Sequence, residues 1–478
     1  MKNSKILTIL FCLFMIFSCK VDDLNVSDKQ ISDVPSSTLF TNGQRNLVDQ
    51  MVTQSIFDNH LKFYAQYWAG TGFIGPETNF QDLKSFPQNY WNTLYRDVLS
   101  DLNEAARLIP EEEIFGFTEI DKQNRLAIIE ILKVYTFHVL VDLFGDVPYS
   151  EALSLDENIL NPIYDNDQNI YTNIINQLNT AIGNLNASGQ SFGDSDLMYQ
   201  GDVSKWTKFA NSLKLRLALR IADVDANQAG TLATEAVNSG VFTSNNDNAS
   251  LSYESTTPNT NPIWETLVNS GREDYVVAEA IVDIMQPIND PRQSAYFDNN
   301  LTPYVGGVLG NLNVFDNFTH IGTAFHQPDL EGLLLDYAEV EFLLAEAAER
   351  SLVGSPADAE NHYNNAITAS ITYWGGSSGD ATTYLAEANV AYTTATGNYR
   401  QKIGTQQWIA FYNRGFEGWS SYRRLGFPNL NDSSEGNPVP RRIKYPIREY
   451  NTNGTNVTNA ASNIGGDELS TKIFWDVN

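Results

Sequence analysis

The sequence predicts a mainly α-helical fold: a tetratricopeptide-like scaffold of stacked helical hairpins, with a loop-rich region packed upon it. Three observations carry this reading. Apolar residues recur at spacings of three and four in several long segments, as in helices with one buried face. Short turns separate those segments, so successive helices become packing neighbours. Between the helical blocks lie the stretches 241–272, 287–333 and 429–470, rich in Asn, Gly, Thr, Ser and Pro yet containing Trp264, Tyr304, Phe315 and Phe318. Loops this long are functional or disordered, and disordered segments are poor in aromatic rings, so these read as ordered loops wrapped over the helices.

The elements follow in chain order. Lys2 and Lys5 precede a largely apolar run of twelve residues, Ile6 to Phe17, and then Ser18 and Cys19. A positive start, a short apolar run and a small residue form a secretory signal. A spanning helix needs about 20 apolar residues, so this run is too short to be one. The boundary cysteine makes it a lipoprotein signal, residues 1–18, with Cys19 as the lipidated first residue. Acyl chains contribute about 0.8 kcal/mol per buried methylene, so two or more hold a protein stably. Residues 19–40 are polar and broken by Pro35, a tether leading to a body at 41–478.

Within the body, helices are expected near 42–68 and 89–108, where Trp91 shares a stripe with Leu94, Tyr95 and Val98 and reads as core. Residues 125–144 are apolar on more than one face, which predicts a central helix. Ile174, Ile175, Leu178, Ala181 and Ile182 form the next stripe, and Trp206, Phe209, Leu213, Leu217 and Ile221 another. Later helices are expected near 273–286, 337–348, 357–372 and 399–413, and the small-residue run LLAEAAER at Leu343–Arg350 fits tight packing between paired helices. The scaffold thus occupies about 41–240 and 333–427, the loop-rich region about 241–332 and a C-terminal wrap 428–478. No clean period of about 34 residues is present.

Composition narrows the function. The formal charge is −28, or −30 once Lys2 and Lys5 leave with the signal, which argues against nucleic acid and against direct adhesion to anionic lipid. The two cysteines are Cys12, inside the signal, and Cys19, so the mature body has no disulfide and packing must stabilise it. With 25 Phe, 23 Tyr and 8 Trp, rings exceed what a core alone suggests, and surplus Trp and Tyr suit sugar recognition.

Catalytic and metal motifs are weak. Gly375-Gly376-Ser377-Ser378-Gly379 matches G-x-S-x-G, but a nucleophile elbow needs a strand before its serine, and here a helix precedes it. His60, His138, His320, His326 and His362 are scattered, and the spacing of His320 and His326 suits no helical zinc motif. Asp165 with Asp167 and Asp194 with Asp196 lack the rest of a calcium loop and read as solvated turns. The chain is therefore expected to be no enzyme and to use no cofactor or metal. Arg414, Arg423, Arg424, Arg441, Arg442, Lys444 and Arg448 gather near the C-terminus, where they read as partners for scaffold acids.

The stretch 64–91 joins two helices and interleaves rings with Gly70, Gly72 and Gly75. Glycines let the backbone turn sharply, so the rings are expected to be displayed. Tyr67, Trp68, Phe73, Asn79 and Phe80 are the expected ligand-binding residues here, with Trp264 and Tyr304, each near a proline, as a second wall.

Several segments resemble the SusD/RagB family of outer-membrane nutrient-binding lipoproteins, in its SusD-like second subgroup. They are VDLFGDVPYSEAL (Val141–Leu153), NDPRQSAYF (Asn289–Phe297), LLLDYAEVEFLLAEAAER (Leu333–Arg350), WIAFYNRGFEGWSSYRRLGFPNL (Trp408–Leu430), PRRIKYPIREYNTN (Pro440–Asn453) and KIFWD (Lys472–Asp476). The resemblance covers nearly the whole mature chain. It implies four tetratricopeptide-like hairpins and a loop-rich ligand surface. It also implies a lipid-anchored protein of the outer membrane facing the cell exterior, which captures an oligosaccharide or polysaccharide and closes over a TonB-dependent, SusC-like transporter. The alternative cargo is an oligopeptide, as in the RagB branch. Cys19-Lys20-Val21-Asp22-Asp23 resembles the family's surface-export signal, with Val21 interposed.

Overall fold

Most stripes become helices where a polar side chain caps the free N–H groups before them. In the computed structural model, which describes residues 34–72, 78–81, 85–113, 115–154 and 159–478, Thr118 and Asp121 form a reciprocal capping box at the start of the central helix. Asn166, Asp202, Asp225, Asp336 and Asn398 cap five more helices. Each such cap is worth about 1 kcal/mol. The signal segment, Cys19 and Phe73 lie outside the described residues.

The helices pack as sequential neighbours. Helix α1 (Ser36–Val52) lies on a composite helix α2, built from Phe86–Asn92, a π-helical stretch Thr93–Leu99, and Ser100–Leu108. Then α3 (Glu119–Phe144) pairs with α4 (Asp167–Asn184), and α5 (Val203–Ile221) with α6 (Ala226–Ser239). Helix α7 (Tyr337–Glu349) pairs with α8 (Ala359–Tyr373), and α9 (Tyr399–Ala410) with α10 (Gly415–Leu425). The helix expected to be central is α3, buried on most of its circumference. In α7 the buried Ala345, Ala347 and Ala348 remove bulk where α8 approaches. Trp91 is buried, with Phe144 edge-on at 5.0 Å, as the stripe predicts.

Three expectations change. The helix expected over 42–68 stops at Val52, and after the turn Leu61–Tyr64 the chain becomes strand β1 (Trp68–Gly70). The segment expected as helix over 273–286 begins instead as a strand, and only Glu279–Met285 is helical. The stretch 429–470 contains two helices, Ile447–Thr452 and Gly454–Asn463.

Small sheets stitch loops to scaffold. In chain order the other strands are β2 (Val147–Pro148), β3 (Tyr164–Asp165), β4 (Ala249–Leu251), β5 (Tyr275–Val277) and β6 (Gly332–Leu335). β1 runs antiparallel to β5, with Trp68 opposite Val277 and Gly70 opposite Tyr275. β2 pairs with β3, and β4 with β6. Bridges Ala278–Gly307 and Phe297–Ile321 continue the pattern into the 299–330 loop. A loop layer therefore gathers 68–72, 271–277 and 299–330 on one part of the scaffold.

A buried ionic network locks the C-terminal half. Arg414 binds Asp336 (2.9 Å) and Glu339 (2.6 Å), and Arg216 joins Glu339 (2.6 Å) to Glu417 (3.0 Å). Arg220 links Glu417 (2.7 Å) to Asp142 (3.1 Å). Burial pushes the Glu339 carboxyl up, but Arg216 and Arg414 outweigh it and hold it down at about 2. Arg424 pairs with Glu346 (2.5 Å), Arg441 with Asp476 (3.1 Å), and Arg442 with Asp467. Arg414 and Arg424 thus fasten their segment to scaffold acids, as expected, whereas Arg441, Arg442 and Lys444 pair with acids of the C-terminal wrap itself.

Candidate functional site

Tyr67 and Trp68 are not displayed, and this corrects the expectation drawn from the neighbouring glycines. Both are 0% exposed. The Tyr67 hydroxyl donates to the Trp408 carbonyl (2.5 Å), and its ring lies 5.0 Å from Trp408 and 5.5 Å from Tyr412. Gly418 makes room for that ring, because a Cβ there would strike the tyrosine. Trp68 sits 5.7 Å from Tyr275 and 6.2 Å from Phe325, with the Lys62 ammonium 5.3 Å from its ring. The physical reason is β-pairing: β1 is drawn under the layer by β5, and the chain turns only after the rings. A fully enclosed ring has no face for a ligand.

Asn79 and Phe80 are buried too, and of the two only Phe80 lines a hollow. The Asn79 carbonyl accepts from the Asn437 amide (2.9 Å), and its own amide donates to Glu435 (3.3 Å). Gly310, at φ +82°, passes so close that any side chain there would strike Asn79. Phe80, itself at φ +54°, lines a hollow of about 580 Å³ with Gln81, Asn437, Pro438, Pro440 and Lys444.

Trp264 and Tyr304 are partly exposed. Trp264 ends a short helix, Pro262–Trp264, whose cap Asn261 accepts from the Ile263 N–H (2.7 Å) and donates to the Leu330 carbonyl (2.6 Å). The Tyr304 N–H donates to Gln286 (2.9 Å), its hydroxyl to Asn299 (3.1 Å), and its ring meets Phe297 edge-on at 5.2 Å. Among the described residues no ring contact joins Trp264 to Tyr304. Tyr304 belongs to the loop layer, and Trp264 lies in the segment that the Asn261–Leu330 bond ties to it.

The layer also holds a ring pair that periodicity does not reveal. Phe315 and His320 stack at 3.8 Å and 16°. With Leu267, Arg272, Glu273 and His326 they line a hollow of about 260 Å³. Burial lowers the His326 pKa, and nearby His320 pushes the same way against Asp298. Arg272 is held by Asp274 (2.5 Å). Rings five residues apart match neither a helical nor a strand repeat, so only loop geometry brings them together.

Other motifs resolve as structure. Ser377 caps the helix Ser378–Leu385, its hydroxyl donating to Asp380 at 2.7 Å. Asp196 was expected in a solvated turn but is 0% exposed; it accepts from Trp206 Nε1 (2.7 Å), Gln44 (2.9 Å) and the Gly201 N–H (3.0 Å). Asp165 accepts from the Tyr149 and Ser150 N–H groups at 3.0 and 2.8 Å. Among the described residues no cluster of three or more His, Cys, Asp and Glu side chains is arranged to hold a metal. None of their helices is long and apolar enough to cross a membrane.

Residues 28–446 match the SusD-like family described as starch-binding and associating with the outer membrane. The fold is similar to that of a chitin-binding protein (27% identity, TM-score 0.77, covering 92% of this chain and 99% of that one). It is also similar to a chitin-binding SusD homologue from Flavobacterium johnsoniae (28%, TM-score 0.76, 92% and 98%). A SusD homologue from Bacteroides uniformis is similar as well (27%, TM-score 0.78, 93% and 100%). No curated protein matches the sequence.

Proposed function

Because the chain belongs to the SusD-like family of outer-membrane-associated binding proteins, we propose that it captures a polysaccharide or oligosaccharide at the cell surface, by binding alone, and delivers it to a TonB-dependent, SusC-like transporter. Cys19 carries the lipid that anchors it, with the body facing outward. The ligand lies on the loop layer. Phe315 and His320 offer a stacked, partly exposed ring pair, and Trp264, Tyr304 and the hollow beside Phe80 extend the surface. Sugar C–H faces pack on ring faces, while hydroxyls bond the amides and carboxylates around them. Each contact is weak, so selectivity comes from matching several sugar units at once.

The observation that carries this reading is the family match across most of the chain, joined to a loop layer with partly exposed rings. The chitin-binding neighbours make chitin fragments the first ligands to try. Affinity electrophoresis against a panel of neutral polysaccharides tests it. Retardation by one polymer, weakened in Phe315→Ala without a change in melting temperature, is the expected result. Silence across the panel alongside measurable binding of mixed peptides would replace this reading with peptide capture.

A further inference from the structure

Beyond the loop layer, three hollows lie in a row along the C-terminal segment. The hollow beside Phe80 shares Lys444 and Leu469 with a second, of about 600 Å³. A third, of about 440 Å³, lies across the short helix Ile447–Thr452: Ile447 and Tyr450 face the second, while Glu449 and Thr452 face the third. Helix α2 floors the last two, from Pro87 to Arg107. At 1.5 Å per residue that floor alone is about 30 Å long.

The three linings repeat one chemistry. Each contains two prolines: Pro438 and Pro440, then Pro87 and Pro446, then Pro148 and Pro162. Those are six of the chain's 17 prolines, too many for chance placement on so little surface. Each also contains two side-chain amides: Gln81 and Asn437, then Gln88 and Asn89, then Asn103 and Asn453. Several amides are pinned by one or two bonds to the protein: Asn437 donates to the Asn79 carbonyl (2.9 Å), Asn89 donates to the Phe57 carbonyl (3.1 Å) and Asp58 (3.0 Å), and Asn453 donates to the Pro162 carbonyl (2.8 Å) and accepts from Asn456 (2.9 Å). An amide has two N–H donors and two lone pairs, so a pinned amide is oriented and still has capacity for a ligand. In the third hollow Tyr95 adds a partly exposed ring, its hydroxyl fixed to the Pro148 carbonyl at 2.6 Å.

The charged groups of the row are matched within the protein. Lys444 meets Glu468 at 2.8 Å, Glu104 meets Arg107 at 2.6 Å, Arg442 meets Asp467, and Glu449 accepts from the Tyr164 hydroxyl at 2.7 Å. A row of rigid apolar rings and oriented amides, with its charges already paired, suits a neutral polyhydroxylated chain of repeating units. We propose that the polysaccharide continues from the loop layer along these three hollows, so that the protein selects long neutral chains over short fragments. This rests on the glycan-capture reading above.

The test compares short and long chito-oligosaccharides by isothermal titration, or a graded series cut from whichever neutral polysaccharide retards the wild type. Asn103→Trp fills the third hollow. Leu160→Asp alters its rim at a residue 80% exposed, where folding is not at risk. Wild type is expected to bind long chains more tightly than short ones. Both variants should weaken the long chains about five- to tenfold, the loss of one or two net hydrogen bonds, and leave short ones unchanged. Phe315→Ala should weaken both. If short and long chains bind wild type equally, or the variants leave long-chain affinity intact, the extended track is refuted and capture on the loop layer still stands. If no neutral glycan binds at all, both readings fail together. Loss of a co-purifying membrane protein in Leu160→Asp, with long-chain binding untouched, would make the row a protein interface and overturn the proposal.

Discussion

Replacing His60 by leucine should make the protein less sensitive to acid. His60 is fully buried, enclosed by Phe63, Tyr64 and Phe86, with its ring 3.8 Å from that of Phe86. Burial pushes its pKa down to about 3, against about 6.5 in an unfolded chain. The folded protein keeps the imidazole neutral throughout that window, while the unfolded chain takes up a proton. Stability therefore falls as pH drops from about 6.5 towards 3, and the group adds no pH dependence above that range. At about pH 5 the loss is roughly 2 kcal/mol. His138, also lowered to about 3 by burial, loses a similar amount. Asp146 acts oppositely: burial raises it to about 6, so acidification from there towards its unfolded value favours the fold. Wild-type melting mixes these contributions, and the His60→Leu difference isolates one. Between about pH 7.5 and pH 5 the variant should lose about 2 kcal/mol less than wild type, or about 2 °C in Tm for a body this large. Equal losses on acidification would show that His60 is not held neutral.

Trp68→Ala should cost about 3–5 kcal/mol in thermal or denaturant unfolding, as for an emptied core site, because the ring is enclosed by Tyr275 and Phe325. A near-unchanged melting temperature would show the ring is displayed after all. Arg414→Met should destabilise by about 3–5 kcal/mol, because Asp336 and Glu339 lose a buried partner; adding Asp336→Leu should recover part of the loss in the same melts. Cys19→Ala should move the protein from the membrane to the soluble fraction on cell fractionation, and retention would point to another anchor.

The helical scaffold was legible because its signals are local. Stripes such as Ile174–Ile182 and caps such as Asp336 lie within a turn or two of the residues they organise. The loop layer was not, because its contacts are distant in sequence. β1 starts at the last residue of an expected helix and its Trp68 was expected on the surface, yet its partner β5 lies some 200 residues on, and no local pattern announces that pairing. Phe315 and His320 were visible as loop residues but not as a pair. Glycine near an aromatic residue proved ambiguous: Gly70 belongs to the strand that buries Trp68, whereas Gly418 makes room for Tyr67. The arginine cluster was legible only as a set of paired cations: Arg414 and Arg424 reach scaffold acids, but Arg441 and Arg442 pair with acids of their own C-terminal wrap and Arg423 with carbonyls.

That use of arginine has a consequence for binding. Arg216, Arg220, Arg414, Arg423, Arg424 and Arg442 are all buried, most with acids of the scaffold and Arg423 with the carbonyls of Asp142 and Arg441. The hollows beyond the loop layer are left with rings, prolines, amides and charges paired inside the protein, and in the layer the Arg272 cation is held by Asp274. A ligand held there gains little from long-range attraction, so salt has little to screen. Glycan affinity measured between about 50 and 500 mM salt should change less than about twofold, although the Debye length shrinks about threefold over that range. A charge-driven ligand would behave otherwise, since a body of formal charge −28 attracts basic peptides through its overall field, and that attraction weakens steeply as salt rises. A strong fall in glycan affinity with salt would mean that an unpaired charge, and not the neutral surface described above, holds the sugar.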